Sequence, residues 1–223
     1  MKSKLLIQAL TKFLVGIILI GLLIFLPAGS PNYPGGWLFM AVLFVPILIA
    51  GVVMLFRAPE LLQKRLSVKE SASQQKRVVS LSGVMFVAAF ILAGLGFRFG
   101  WCQLPKWVVW TAVGLYLAAY LLYAEVLREN AFLSRTIEVQ QEQKVIDTGL
   151  YGIVRHPMYS ATLILFLSMP LILGSAISFI VMLTYIPIIG YRMRHEEKIL
   201  EEGLAGYKEY KQRVKYKIIP FIW

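Results

Sequence analysis

Long apolar stretches, separated by short polar connections, dominate the first half of the chain. They cover residues 5–26, 37–56, 78–97 and 107–123. A run of about 20 apolar residues is long enough to cross the ~30 Å hydrocarbon core of a bilayer as an α-helix. We therefore predict four transmembrane helices within residues 1–128.

A fifth apolar stretch, residues 158–191, is too long for a single crossing. As one helix it would measure roughly 50 Å at about 1.5 Å per residue, which exceeds the hydrocarbon thickness. The sequence Leu173-Gly174-Ser175 near its middle offers a natural break. We expect a helical hairpin whose two arms, of about 16 residues each, are slightly short for a full span. The predicted fold is an all-α integral membrane protein with about five transmembrane elements, of which the last is this hairpin.

Composition and charge agree with a membrane protein and give its orientation. Apolar residues make up 58% of the chain and charged residues only 16%, outside the usual range for soluble proteins. The net charge of +11 would also suit a nucleic-acid-binding protein. However, of the 23 lysines and arginines only Arg98 and Lys106 fall on one side of the predicted spans. The positive-inside rule then predicts a multi-pass protein with both termini in the cytosol, in contact with membrane lipids and without a nucleic-acid partner.

The remaining polar segments organise the chain as a single membrane domain, residues 1–223. A cytosolic connector is predicted at residues 129–157, and a cytosolic C-terminal helix and tail at residues 192–223. In the basic loop between the second and third spans, the sequence APELLQKRL predicts a short helix at the membrane surface, although a solvated loop is the simpler interpretation. The connector is the longest polar stretch between predicted membrane helices, and such stretches are usually functional.

Two polar clusters flank the predicted hairpin. Arg155 and His156 stand directly before Pro157, which suits the first turn of a helix. At the other end, Arg192 and Glu196 are four residues apart and share a helix face. Antiparallel arms would bring both clusters together at the cytosolic surface. The alternatives are interfacial anchors for the first cluster and ordinary salt bridges within a helix for the second.

The strings GLYGIVRHPMY and YRMRHEEKILEEGLAGYKEYKQRVKYKIIP resemble the C-terminal signature of the isoprenylcysteine carboxyl methyltransferase family, over roughly residues 130–223. The resemblance implies S-adenosylmethionine as cofactor, bound in a cytosolic pocket between the two clusters, and a lipid-like acceptor from the bilayer. It places His156 and Tyr159 on one side of the cofactor and Glu196 on the other. Arg192 would orient the acceptor carboxylate, so that Arg192 and Glu196 form the catalytic pair.

The residues themselves are compatible with these roles. Tyrosines such as Tyr151 and Tyr159 can pack on an adenine or, by cation–π attraction, on a sulfonium. A guanidinium such as that of Arg192 pairs well with a carboxylate. The predicted cofactor-binding set is Tyr151, Arg155, His156, Tyr159, Glu196 and Glu197.

Several functions remain open from the sequence. A carboxylate acceptor, with a pKa of about 4, needs no general base. A phospholipid amine would need one, for which Glu197 or His195 is available, and a small thiol is a further alternative acceptor. Membrane sterol reductases, which use a nicotinamide cofactor, carry a related C-terminal signature but are usually longer. A non-catalytic membrane protein is the remaining alternative. No metal site is predicted, because the chain has only two histidines and no HExxH or CxxC spacing.

Overall fold

The computed structural model describes residues 2–66, 73–101, 103–130, 132–133 and 139–223. Its helices are α1 (Lys2–Ala28), α2 (Pro34–Arg57), α3 (Pro59–Leu66), α4 (Ser73–Phe99), α5 (Lys106–Glu129), α6 (Pro157–Ile172), α7 (Ala176–Met182), α8 (Tyr185–Gly203) and α9 (Tyr207–Arg213). A short 3₁₀ turn, Gly149–Gly152, precedes α6. Over these residues the fold contains no β-strand.

Five segments of the described chain are long and apolar enough to cross a membrane. They are Lys4–Ala28, Pro34–Arg57, Val78–Phe99, Lys106–Glu129 and Ala176–Gly203. The predicted all-helical class is therefore confirmed, and the described residues contain five candidate membrane-spanning helices. The predicted form of the fifth element, a hairpin that enters and leaves the membrane on the cytosolic side, stays a prediction. The short helix predicted from APELLQKRL is present as α3, whereas residues 67–72 of the same loop lie outside the described residues. The cytosolic orientation of the termini stays a prediction.

The chain breaks between α6 and α7 where the sequence predicted it. Gly174 adopts the left-handed conformation with φ +74°, which glycine accepts without steric cost. Ser175 then caps α7, because its side chain accepts a hydrogen bond from the backbone N–H of Ser178 at 3.3 Å. The boundary predicted at residue 191 does not coincide with a break, since α8 continues to Gly203.

The α6–α7 turn contacts the connections at one end of the helical bundle. The Tyr33 hydroxyl, from the α1–α2 connection, donates a hydrogen bond to the Leu173 carbonyl at 2.5 Å. From the α4–α5 connection, the Leu104 N–H donates to the Gly174 carbonyl at 3.0 Å. Helices α5 and α6, which pack against each other, therefore both reach this end of the bundle.

Helix α6 is much shorter than its neighbour. Its 16 residues measure about 24 Å, whereas the 24 residues of α5 measure about 36 Å. Because both helices reach the same end, the first residue of α6 lies about 12 Å short of the far end of α5 along the helix direction. The polar residues at the start of α6 are thus set back from the far end of α5.

Candidate functional site

The segment before α6 is held in place by the C-terminal tail. The backbone N–H of Arg155 donates to the carbonyl of Tyr216 at 2.9 Å, and the N–H of His156 donates to the carbonyl of Lys217 at 2.8 Å. Pro157, which has no N–H to satisfy, then begins α6. The backbone at the mouth of α6 is therefore fixed by residues far away in the sequence.

Tyr159, in the first turn of α6, joins the two polar clusters. Nε of Arg192 donates a hydrogen bond to the Tyr159 hydroxyl at 3.1 Å. The same hydroxyl donates to a carboxylate oxygen of Glu196. The ring of His156 stacks on that of Tyr159 with 5.5 Å between the ring centroids. The entry and the exit of the predicted hairpin thus come together at this tyrosine.

Helix α8 presents different residues on two of its faces. Ile189, Met193 and Glu197, spaced four apart, are buried. Arg192 and Glu196, also four apart, are half-buried and turned toward Tyr159. Adjacent positions on an α-helix point about 100° apart, so the neighbouring carboxylates of Glu196 and Glu197 face different surroundings.

The carboxylate of Glu197 is surrounded by the side chains of Arg155, His156, Lys211 and Lys217. One of its carboxylate oxygens accepts a hydrogen bond from Nε of Arg155 at 2.8 Å and lies 3.3 Å from Nε2 of His156. The Nζ atoms of Lys211 and Lys217 each lie 3.6 Å from its other oxygen. Only 4% of Glu197 is exposed. Its buried carboxylate therefore holds the side chains of Arg155 and His156 in place through these contacts.

A cavity opens between the connector, α6, α8 and α9. Six of the seven predicted site residues line it, namely Tyr151, Arg155, His156, Tyr159, Arg192 and Glu196. The seventh, Glu197, is not among the lining residues. Residues of both predicted clusters therefore line one cavity, whereas Glu197 is buried and does not line it.

Tyr151 is fixed at both its ring and its backbone. Its hydroxyl accepts a hydrogen bond from Nδ2 of Asn130 at 3.0 Å, and its carbonyl accepts one from the Tyr210 hydroxyl at 2.8 Å. Burial raises the pKa of Tyr151 to about 12. At neutral pH the ring is therefore uncharged and held as a rigid part of the wall.

Sequence reasoning missed part of the lining. Asn130 and Gln143 of the connector and Tyr207 at the start of α9 also line the cavity. Tyr207 is only 4% exposed, and its hydroxyl is the one buried side-chain polar atom without a hydrogen-bond partner in the part of the chain that the structure describes. The tyrosine pair in GLAGYKEYK was the available signal, but its spacing does not tell which ring faces the cavity.

The cavity does not have the composition of a metal centre. Within the described ranges, no group of three or more histidine, cysteine, aspartate or glutamate side chains is placed to hold a metal ion. The second histidine of the chain, His195, does not line the cavity. The polar groups that do line it are suited to hydrogen bonding and to packing on an organic ligand.

Part of the chain, less than half of its length, matches a known protein family. The model of the Isoprenylcysteine carboxyl methyltransferase (ICMT) family matches residues 108–202, from α5 to the last turn of α8. The family resemblance, predicted over roughly residues 130–223, is confirmed as far as residue 202, and the rest of the predicted signature lies outside the matched stretch. The Delta(14)-sterol reductase TM7SF2 of Mus musculus is 31% identical over 91 residues, which make up 40% of this chain and 22% of that protein. The chain thus matches less than a quarter of the length of this relative.

Proposed function

We propose that this protein transfers a methyl group from S-adenosylmethionine to a lipid-like acceptor in the membrane, at the cytosolic side. The acceptor that fits best is the carboxylate of an isoprenylated cysteine. Arg192 and Glu196 act as the catalytic pair, and the cofactor contacts Tyr151, Arg155, His156, Tyr159 and Glu196. Glu197, which the sequence grouped with the cofactor contacts, is proposed to position Arg155 and His156 instead.

The observation that carries this proposal is the arrangement of Arg192, Tyr159 and Glu196 in one recessed cavity. A cation and an anion, linked through one hydroxyl, stand side by side in that cavity. Ionisable groups within the thickness of a membrane are costly and tend to be functional. Both members of the pair, and Tyr159, lie within residues 108–202, which match the methyltransferase family.

The donor and acceptor set of the cavity suits S-adenosylmethionine. Glu196 is a carboxylate that can accept hydrogen bonds from the ribose hydroxyls or the amine of this cofactor, and the rings of Tyr151 and Tyr159 can pack on its adenine or sulfonium. When bound, the cofactor supplies an electrophilic methyl group on a positively charged sulfur. The residues of this chain then have to align the acceptor with that methyl group and exclude water.

The depth of the cavity and the position of Arg192 favour an acceptor with a lipid tail and an anionic head. The start of α6 is set back from the end of α5, and we propose that it lies within the hydrocarbon thickness, so that an isoprenyl chain can stay in the bilayer while its head group reaches the cavity. A guanidinium recognises a carboxylate through paired hydrogen bonds. Since a carboxylate is ionised at neutral pH, it needs no general base before it accepts the methyl group.

An amine acceptor is less well supported. It would have to lose a proton before attack, and the sequence offered Glu197 or His195 for that task. Neither residue lines the cavity, and the carboxylate of Glu197 is surrounded by three cationic side chains and the ring of His156. A thiol acceptor that still carries its proton is uncharged, so it would gain nothing from Arg192 as a partner. These placements favour the carboxylate.

The test is methyl transfer by the full chain, purified in detergent, from labelled S-adenosylmethionine to N-acetyl-S-farnesylcysteine. We expect a labelled methyl ester, and no product from the matched acceptor whose carboxylate is replaced by a primary amide. A phosphatidylethanolamine acceptor tests the amine alternative in parallel. Labelling of the phospholipid with none of the farnesylcysteine would overturn the proposed acceptor.

Because part of the chain is similar to a sterol reductase, a nicotinamide cofactor is the alternative to S-adenosylmethionine. Calorimetry with S-adenosylhomocysteine and with NADPH, on the same preparation, separates the two classes of enzyme. We expect binding of S-adenosylhomocysteine. Binding of NADPH alone would overturn the methyltransferase proposal itself.

A further inference from the structure

We propose that the Tyr207 hydroxyl is a hydrogen-bond donor to the bound cofactor, on the side of the cavity formed by α9. This assignment rests on the proposed function and adds a contact from outside residues 108–202, the region that matches the family model. The observation behind it is a buried, unpaired hydroxyl on a residue that lines the cavity.

The local structure brings the Tyr207 ring back toward the cavity after α8 has ended. Gly206 adopts the left-handed conformation with φ +82°, which redirects the chain between α8 and α9. The Tyr207 ring then packs in an apolar cluster with Leu204 and with Val145 of the connector. This packing leaves the ring 4% exposed and fixes where its hydroxyl lies.

A buried hydroxyl without a partner is unfavourable, because it has given up its hydrogen bonds to water and gained none in return. The neighbouring tyrosine shows the usual outcome. The Tyr210 hydroxyl, three residues further along α9, donates to the carbonyl of Tyr151 at 2.8 Å. Among the described residues, Tyr207 alone has a buried polar side-chain atom in this unpaired state, and it lines the cavity.

The surroundings make Tyr207 a donor. Burial, with additional repulsion from the negative charges of Glu197 and Glu196, raises the pKa of Tyr207 far above neutral. The hydroxyl therefore keeps its proton and can donate it in a hydrogen bond. S-adenosylmethionine presents acceptors at its carboxylate, its ribose oxygens and its adenine nitrogens. The carboxylate of Glu196 can pair with donors of the same ligand, so the two residues offer complementary contacts.

The assignment predicts opposite effects on stability and on binding, which a purely structural residue would not produce. Tyr207→Phe removes only the unpaired hydroxyl, so the ligand-free protein should keep or raise its melting temperature. The same change should weaken the binding of S-adenosylhomocysteine about tenfold, the loss of one hydrogen bond. Tyr210→Phe is the matched control, because it removes a hydroxyl that already has a protein partner and should lower the melting temperature.

The experiment is calorimetric titration of the detergent-solubilised full chain with S-adenosylhomocysteine, together with thermal unfolding of the ligand-free protein. Equal affinity in the wild type and in Tyr207→Phe would overturn the assignment and leave the proposed function standing. A lower melting temperature of ligand-free Tyr207→Phe would also overturn it, because the hydroxyl would then have a structural role. Failure of the wild type to bind S-adenosylhomocysteine would overturn both.

Discussion

Nε of Arg192 donates a 3.1 Å hydrogen bond to the hydroxyl of Tyr159, a residue 33 positions earlier in the chain. Because that hydroxyl also donates to Glu196, one tyrosine sets the relative positions of the proposed acceptor-binding cation and the proposed cofactor-binding anion. The geometry of the site therefore depends on the packing of α6 against α8. Substitutions at Arg192 and Glu196 can separate the two functions.

The first prediction concerns Arg192→Lys. Lysine keeps the positive charge but lacks the planar pair of donors and the Nε that contacts Tyr159, so the acceptor carboxylate should be misaligned. A displacement near 1 Å costs on the order of 10²-fold in rate. We expect single-turnover methylation of N-acetyl-S-farnesylcysteine to fall by about that factor, with cofactor affinity changed much less.

Arg194→Lys is the control for this prediction, because Arg194 lies on the same helix but is exposed to solvent and does not line the cavity. It should methylate at the wild-type rate. Wild-type turnover in Arg192→Lys would remove Arg192 from the catalytic pair and would weaken the carboxylate assignment.

The second prediction concerns Glu196. Glu196→Gln keeps the size of the side chain and removes its charge, so a cofactor amine or hydroxyl should lose a charge-assisted hydrogen bond. Such bonds contribute about 1.5–3 kcal/mol, equivalent to roughly a 10- to 150-fold loss of affinity. We expect calorimetry to show weaker binding of S-adenosylhomocysteine in this range. The control is Glu202→Gln, at an exposed position on the same helix, which should bind S-adenosylhomocysteine as the wild type does. Wild-type affinity in Glu196→Gln as well would exclude Glu196 from the cofactor site.

The parts of the structure that depend on local pattern could be predicted from the sequence. The length of the apolar runs gave the spans, and Gly174 marked the break before Ser175 because glycine tolerates the left-handed conformation. The two polar clusters were predicted to meet, and Tyr159 joins them. All of these depend on a few neighbouring residues or on the antiparallel arrangement of consecutive helices.

The parts that depend on the rotation of a helix or on distant contacts could not be predicted. Glu196 and Glu197 are adjacent and chemically identical, and only the burial of Ile189 and Met193 decides which of them faces away from the cavity. The unpaired state of the Tyr207 hydroxyl is likewise a property of packing against the connector. Neither property can be read from the spacing of residues in the sequence.

The third prediction concerns membrane orientation, which rests on the charge distribution of the sequence. Lys106 starts α5 at the predicted outer end, and Lys208 lies in α9 at the predicted cytosolic end. Single cysteines at these positions, in a Cys102→Ser background, should differ in labelling by a membrane-impermeant maleimide added to intact cells. We expect Lys106→Cys to react and Lys208→Cys to react only after lysis. The reverse pattern would overturn the cytosolic placement of the cavity.

The last prediction concerns Glu197, whose carboxylate is almost fully buried between Arg155, His156, Lys211 and Lys217. Removing one member of a buried ion pair costs about 3–5 kcal/mol, because the partners remain buried without compensation. Glu197→Gln should therefore lower the melting temperature by at least about 6 °C, given roughly 2–4 °C per kcal/mol in a protein of this size.

The control for this prediction is Glu201→Gln, one turn further along α8. Glu201 pairs with Lys211 nearer the surface, where an ion pair contributes only about 0–1 kcal/mol. A small shift is expected there. Glu197→Gln should also weaken binding of S-adenosylhomocysteine, because Arg155 and His156 line the cavity and are held in place by this carboxylate. A melting temperature unchanged from the wild type would mean that the side chains around Glu197 do not need its charge, and the positioning role proposed for it would be wrong.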